Sequence, residues 1–141
     1  MTLRQHATTL VVETPGRGLV EITRRVAEWL ASTGVRDGLL VLFLRHTSAS
    51  LLVQENADPS VRADLDRFFA RLVPDGDPIF RHQDEGPDDM PAHVRAALTA
   101  VQVSVPVADG RMVLGTWQGI YVWEHRMCKH RREVALHLTG V

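Results

Sequence analysis

Two histidines and four carboxylates lie within one short polar segment, His82-Gln-Asp-Glu-Gly-Pro-Asp-Asp-Met-Pro-Ala-His93. Imidazole nitrogens and carboxylate oxygens together bind divalent transition metals. The spacing matches no compact ligand motif such as His-Glu-x-x-His, so a metal site here needs a further ligand from elsewhere. His46, which follows a buried strand, is the predicted third donor. The alternative is an acidic surface loop with a helix-capping aspartate.

Carboxylate and amide side chains at two other places are candidates for acid–base work. Glu55 and Asn56 lie between a predicted strand and a predicted helix, and Glu124 ends another predicted strand. A carboxylate next to a metal-activated water acts as a general base. Asp58, directly before Pro59, is more typical of a helix cap than of a ligand.

A glycine-flanked turn and a basic patch are candidates for holding phosphate. Thr116, Trp117 and Gln118 lie between Gly115 and Gly119, where exposed amides and a hydroxyl can bind phosphate oxygens. Trp117 could instead stack on a flat heterocycle. Arg131 and Arg132 are candidate phosphate clamps. The alternatives are a tight turn with a buried tryptophan and a solvated charged edge.

The strands that must position these residues follow from apolar periodicity. The uniformly apolar run Leu39–Leu44 predicts a central strand covered on both faces. Alternation from Val101 to Val107 predicts a half-buried strand, and Pro106 places it at an edge or a bulge. Further strands are predicted at residues 5–13, 51–55, 112–116, 119–124 and 132–139.

Three helices are predicted between these strands. Apolar residues three and four apart predict a first helix over residues 22–30, with Thr23 capping its first turn and Gly34 ending it. Asp58-Pro59 starts the second helix. The third opens at Pro91 and carries His93 in its first turn, where the positive helix end favours a neutral imidazole. About seven strands and three helices predict an α+β fold with an antiparallel C-terminal half.

Composition narrows the class of protein. The chain has 141 residues, 45% of them apolar and 23% charged, which predicts one globular domain over residues 1–141. A net charge of −1 argues against a nucleic-acid partner bound through bulk charge. No apolar run approaches the roughly 18–20 residues of a membrane span, and no signal peptide is visible. The single cysteine, Cys128, indicates a reducing compartment, so we expect a cytoplasmic protein.

Several motifs in one register carry a resemblance to a known family. They are His46-Thr-Ser-Ala-Ser-Leu51 with Gln54-Glu-Asn56, the segment His82–His93, and Gly115-Thr-Trp-Gln-Gly119 with Glu124. In this order the chain resembles the YjbQ family, from about Leu39 to Gly140.

This resemblance implies a two-layer β-sandwich with flanking helices, assembled as a homotrimer with sites near the subunit interfaces. It also implies a secondary thiamine-phosphate synthase, which joins a pyrimidine methyl pyrophosphate to a thiazole phosphate and releases pyrophosphate. By the matching motifs, the metal-binding or catalytic histidines are His46, His82 and His93, and the accompanying site residues are Glu55, Asn56, Asp64 and Glu124.

The sequence therefore leads to one main hypothesis and two alternatives. In the main hypothesis His46, His82 and His93 bind a divalent ion, zinc or another transition metal or a weakly held magnesium, that polarises a leaving phosphate. The first alternative is a metal-assisted hydrolase of a small phosphorylated metabolite, with Glu55 or Glu124 as base. The second is a non-catalytic trimeric binding protein whose polar clusters lie in subunit interfaces.

Overall fold

The computed structural model describes residues 1–141 and contains eight strands and three helices. The strands are β1 (Arg4–Thr14), β2 (Gly18–Glu21), β3 (Gly38–Leu44), β4 (Ala49–Glu55), β5 (Gln102–Ala108), β6 (Arg111–Met112), β7 (Gln118–Glu124) and β8 (His130–Gly140). The helices are α1 (Thr23–Thr33), α2 (Pro59–Leu72) and α3 (Asp89–Leu98).

The strands form two antiparallel sheets that face each other. The larger sheet has the order β1-β8-β3-β5-β6, and the smaller has the order β2-β7-β4. The buried core fills the space between them, with Leu40 and Leu42 from β3, Ile120 and Val122 from β7, and Val26 from α1. The predicted α+β sandwich is confirmed, with one strand more than expected because the glycine-rich turn after β1 continues into β2.

Strand β3 differs from its prediction on one face. It lies in the middle of the larger sheet between β8 and β5, as a uniformly apolar strand should. Only Leu40, Leu42 and Leu44 are buried, whereas Leu39 and Phe43 on the outer face are 47% and 48% exposed. No helix covers this outer face, so β3 is covered on one side only within a single chain.

The first turns of two helices also differ from prediction. Thr23 does not cap α1, because its hydroxyl accepts the Ile120 N–H at 2.8 Å and donates to the Glu21 carboxylate at 2.9 Å. Gly34 ends α1 in the left-handed conformation as predicted, at φ 73°. Helix α3 begins at Asp89, two residues before the predicted Pro91.

The smaller sheet is covered on its outer face by helices α2 and α3. Because side chains alternate along β7, Tyr121, Trp123 and His125 point away from the core that Ile120 and Val122 enter. Phe69 of α2 packs edge-on against Trp123, with ring centroids 4.8 Å apart. None of the three helices has the length and apolar composition needed to cross a membrane.

Candidate metal centre

Two of the predicted histidines meet at one buried carboxylate. His82 Nε2 lies 2.7 Å from Asp89 Oδ2, and His93 Nε2 lies 3.2 Å from the same oxygen. The three ligand atoms are all within 4.8 Å of one another. The Asp89 side chain is 2% exposed, whereas those of His82 and His93 are 47% and 32% exposed. Two imidazoles therefore face solvent around one fixed carboxylate.

Helix α3 and the loop before it bring these groups together. Asp89 is the first residue of α3 and His93 lies four residues later, so both side chains occupy one helix face. The His93 Nδ1–H donates to the Thr47 carbonyl at 2.9 Å. This bond fixes the ring and leaves the Nε2 lone pair of the neutral tautomer directed at the cluster. His82 comes from the loop, and its ring lies edge-on to the ring of His93, with centroids 5.7 Å apart.

Arg126 fixes the carboxylate in place. Its guanidinium donates to Asp89 Oδ1 at 2.8 Å, to Asp88 Oδ2 at 2.9 Å and to the Glu85 carbonyl at 2.8 Å. The Met127 N–H also donates to Asp88, at 2.9 Å. These bonds occupy Oδ1 of Asp89 and leave Oδ2 for the histidines, which is the support that outer groups give to a metal ligand.

The electrostatics keep Asp89 ionised. Burial alone would raise the pKa of its carboxyl, but the hydrogen bond with His82 and the charge of Arg126 hold that pKa below its ordinary value. Asp88 behaves in the same way, because the Met127 N–H and Arg126 outweigh its burial and lower its pKa. The cluster therefore offers a charged oxygen and two imidazole nitrogens near neutral pH.

This donor set fits a divalent transition metal. The 3.2 Å between His93 Nε2 and Asp89 Oδ2 is close to the spacing of two ligand atoms on a tetrahedral zinc ion, about 3.3 Å for bonds of about 2.0 Å. The 2.7 Å between His82 Nε2 and the same oxygen is a hydrogen-bond distance, which would have to lengthen by about 0.6 Å around an ion. Two histidines and one carboxylate occur together at catalytic sites that keep positions open for water or substrate. His82, Asp89 and His93 are thus the residues that would hold the ion.

The structure does not bring His46 into this cluster. Its Nε2 accepts the backbone N–H of Glu133 at 2.8 Å, so the ring is held against β8. Burial, followed by the charge of Arg132, lowers the His46 pKa below its ordinary value and favours the neutral ring that accepts this bond. Asp89, rather than His46, is the third group beside His82 and His93. The Asp89-x-x-x-His93 spacing is the signal that could have identified it.

Glu124 and Arg132 form a buried ion pair. Arg132 Nε donates to Glu124 Oε1 at 2.8 Å, and the Thr14 hydroxyl donates to the same oxygen at 2.6 Å. Burial would raise the Glu124 pKa, but the bonds from Arg132 and Thr14 lower it. Arg132 also donates to the Ser48 hydroxyl at 2.9 Å. Glu124 and Arg132, both predicted site residues, therefore link the smaller sheet to the larger one.

The predicted phosphate-binding turn lies at the other end of the smaller sheet. In the β4–β7 pair, Ala49 is opposite Glu124 and Glu55 is opposite Gln118, so the two ends are about 20 Å apart. The Glu55 carboxylate accepts the Ala57 N–H at 2.7 Å ahead of α2. Asn56 Nδ2 donates to the Thr116 carbonyl at 3.2 Å. Glu55, Asn56 and this turn therefore form a second polar end, away from the histidines.

The remaining predicted residues lie on the surface. Trp117 is 64% exposed at the tip of its turn, and the Gln118 side chain accepts the Gly115 N–H at 2.8 Å. Arg131 is exposed on β8 opposite Glu13 of β1. Asp64 pairs with Arg67 on the exposed side of α2. None of them joins the histidine cluster within one chain.

Sequence reasoning missed a buried histidine beneath α2. His125 is fully buried, and its Nε2 lies 2.8 Å from the hydroxyl of Ser50, which is also fully buried. Burial, followed by the charge of Arg95, lowers the His125 pKa to about 3. The ring is therefore neutral at physiological pH. The sequence signal that could have identified His125 is its position directly after Glu124, at the end of an apolar strand.

Comparison with known proteins gives a consistent result over nearly the whole chain. Residues 8–141 match the family model described as UPF0047 protein YjbQ-like. A UPF0047 protein of Synechocystis is 50% identical over 139 residues, covering 99% of this chain and 95% of the relative. The YjbQ protein of Salmonella typhimurium is 43% identical, covering 94% and 96%.

Solved structures agree with these sequence matches. A conserved hypothetical protein from Thermus thermophilus has a TM-score of 0.82 at 39% identity, covering 92% of this chain and 97% of its own. A YbjQ-like protein from Sulfolobus solfataricus has a TM-score of 0.90 at 21% identity, covering 99% and 100%, and supports the fold alone.

Proposed function

The chain belongs to the YjbQ-like UPF0047 family, and from this premise we propose that it is a metal-dependent enzyme acting on a small phosphorylated metabolite. The observation that carries the proposal is the convergence of His82, Asp89 and His93 within 4.8 Å. Exposed imidazoles around a buried, arginine-supported carboxylate are arranged for a ligand from solvent. A purely structural polar cluster has no need of that exposure.

The reaction we propose is thiamine-phosphate synthesis. A pyrimidine methyl pyrophosphate loses pyrophosphate from its methylene carbon, and the thiazole phosphate nitrogen forms the new carbon–nitrogen bond with its ring lone pair. The site must neutralise the departing pyrophosphate and hold the thiazole nitrogen in line with the methylene. A divalent ion, when bound, supplies that neutralising charge.

The residues of this chain have separate tasks in that reaction. His82, Asp89 and His93 hold the ion at the mouth of the site. Thr47 orients the His93 ring through its carbonyl, and Arg126 keeps Asp89 ionised and fixed. The open side of the cluster, where both rings are exposed, is the side from which substrate enters.

The position of the other carboxylates favours transfer over hydrolysis. The hydrolase alternative relies on Glu55 or Glu124 to take a proton from water, whereas a thiazole nitrogen attacks without losing a proton. Glu124 is paired with Arg132, and Glu55 accepts backbone N–H groups before α2. Neither predicted base is available at the histidine cluster.

We propose that a homotrimer completes the site. The exposed Trp117 turn and Arg131 are the predicted phosphate-holding elements that a single chain leaves away from its own cluster. In a ring of identical chains, each interface joins two different surfaces of the chain. The turn of one chain can therefore approach the histidines of the next chain.

The test is formation of thiamine phosphate from the two phosphorylated substrates by purified protein. His82→Ala, His93→Ala and Asp89→Asn are expected to lower the steady-state rate by about a hundredfold or more, because each removes a metal ligand. His130→Ala is the matched control, since the His130 side chain is 31% exposed, much like the 32% of His93, and lies outside the cluster.

Three results would count against this proposal. Turnover of phosphate esters with water as acceptor, lost in the same three variants, would show a hydrolase. Unchanged thiamine phosphate formation in all three variants would show that the histidine cluster is not catalytic. If wild type catalyses neither reaction and the three variants dissociate from a trimer into single chains, the protein is a binding or scaffold protein.

A further inference from the structure

A cleft of about 270 Å³ opens directly beside the proposed metal centre. It is formed by the loop between α2 and α3 together with the first turn of α3. His82 belongs both to this cleft and to the ligand cluster. A group bound in the cleft would therefore lie next to the metal ligands.

The loop walls are held by hydrogen bonds within the loop. The Gly76 N–H donates to the Pro87 carbonyl at 3.0 Å and closes the base of the loop. The Ile79 N–H donates to Asp77 Oδ1 at 3.0 Å. Gln83 Nε2 donates to the Phe80 carbonyl at 3.0 Å. The cleft is thus shaped before any ligand enters.

The lining is mixed, with two hydrophobic residues among nine and with unused hydrogen-bond acceptors. Phe80 and Met90 supply apolar surface, one of them a flat ring. The bonds described above leave Asp77 Oδ2 and Gln83 Oε1 free to accept further hydrogen bonds. None of the nine lining residues is a lysine or an arginine. Such a lining suits a ligand that donates hydrogen bonds and disfavours a phosphate.

The size of the cleft limits the ligand to a single ring. Pockets for drug-sized molecules have volumes of about 300–1,000 Å³, and this cleft is smaller. A flat heterocycle with an exocyclic amino group would stack on Phe80 and donate to Asp77 or Gln83.

We infer that this cleft binds the amino-bearing heterocyclic end of the substrate, with the phosphate-bearing end directed at His82, Asp89 and His93. The inference rests on the proposed function, because it assigns one end of that substrate to the cleft. It divides recognition in two. The loop selects a neutral or cationic amino-heterocycle, and the ligand cluster receives the anionic end.

The experiment is an NMR titration of ¹⁵N-labelled full-length protein with 4-amino-2-methylpyrimidine. We expect shifts of backbone amides in residues 76–91, and affinity about tenfold lower for 2-methylpyrimidine, which lacks the amino donor. Asp77→Asn is expected to weaken the amino compound about tenfold while its Oδ1 still accepts the Ile79 N–H. Asp84→Asn removes the same charge from the same loop outside the cleft and should leave affinity unchanged.

Phe80→Ala provides a second variant that removes the stacking surface and should also weaken binding. Equal affinity for the two pyrimidines, or full affinity in both Asp77→Asn and Phe80→Ala, would overturn the inference. So would inorganic pyrophosphate that shifts the amides of Gly76, Asp77 and Phe80, which lie outside the ligand cluster, at lower concentration than the amino compound does.

The metal content of the same samples separates this inference from the proposed function. His93 is a ligand-cluster residue that does not line the cleft, so His93→Ala should lose metal and keep pyrimidine binding. Metal binding without pyrimidine binding in wild type overturns the cleft assignment alone. Pyrimidine binding without metal overturns the proposed metal chemistry alone.

Discussion

At the scale of single residues, Asp89 holds the histidine cluster together, because it accepts a hydrogen bond from Arg126 and lies beside both His82 and His93. The polar segment itself identifies His82 and His93 as candidate ligands, but residue type alone does not distinguish Asp89 from the other three carboxylates of the segment. Only the start of α3 distinguishes Asp89, because it places this carboxylate one helical turn before His93. His46 was a reasonable third ligand by residue type, and a backbone N–H of β8 occupies its nitrogen instead.

The buried His125 gives a prediction for stability against pH. Its ordinary pKa of 6.5 falls to about 3 in the folded chain because of burial and the nearby Arg95 charge. Between these two values the unfolded chain binds a proton that the folded chain does not, so stability falls as pH decreases. From about pH 7 to pH 5, wild type should lose about 2 kcal/mol more than His125→Gln.

Urea unfolding of both proteins at the two pH values measures this difference. Asp66 has a raised pKa from burial and contributes with the opposite sign, but it is present in both proteins and cancels in the comparison. Parallel loss of stability in wild type and His125→Gln would show that His125 takes up its proton in the folded chain as readily as in the unfolded one.

At the scale of elements, periodicity predicted the strands and helices that carry the core, and it was less accurate at their ends. The alternation in β5 directly reflects burial on one side. Helix α2 has the predicted spacing but no buried residue, and Phe68 and Leu72 on its apolar face stay about half exposed. Strand β6 has two residues instead of the predicted five, because its pairing with β5 ends at Val107. Strand β2 was missed, because its four residues follow a turn and depend on pairing with β7. Such pairings are contacts between distant segments and leave no local periodic signal.

The close approach of β3 and β8 gives a prediction at this scale. Gly38 lies opposite Gly140, and a Cβ atom at Gly38 would lie 2.2 Å from the Thr139 carbonyl oxygen. Gly38→Ala should therefore cost about 1–3 kcal/mol of unfolding free energy, since two backbones would have to separate.

Gly115→Ala is the control for this substitution. A Cβ there would meet only the Gln118 side chain, at 3.4 Å, which can move. Denaturant unfolding compares the two variants. Equal stability of Gly38→Ala and wild type would mean that β3 and β8 are less closely packed at this pair than the structure describes.

At the scale of the whole molecule, the outer face of the larger sheet is uncovered within one chain. Leu39 and Phe43 are about half exposed in the middle of that face, where a central strand is ordinarily covered. We propose that this face is covered by neighbouring chains of a homotrimer. Wild type should then sediment at three times the 15.8 kDa chain mass.

Phe43→Lys tests which surface forms the trimer. A charge in the centre of the sheet face should dissociate the assembly into single chains, whereas Ala63→Lys, at an exposed position of α2 away from its apolar side chains, should leave it intact. Sedimentation velocity resolves the two species. A stable Phe43→Lys trimer, or a wild-type monomer at micromolar concentration, would reject this interface.

The central claim is that His82, Asp89 and His93 bind a divalent metal, and elemental analysis of protein purified without a histidine tag tests it most directly. We expect about one equivalent of a transition metal per chain in wild type and in His46→Ala. The variants His82→Ala, His93→Ala and Asp89→Asn should lose that metal. Metal that is retained in Asp89→Asn and lost in His46→Ala would contradict the account. Wild type that binds no transition metal even after incubation with zinc would contradict it as well.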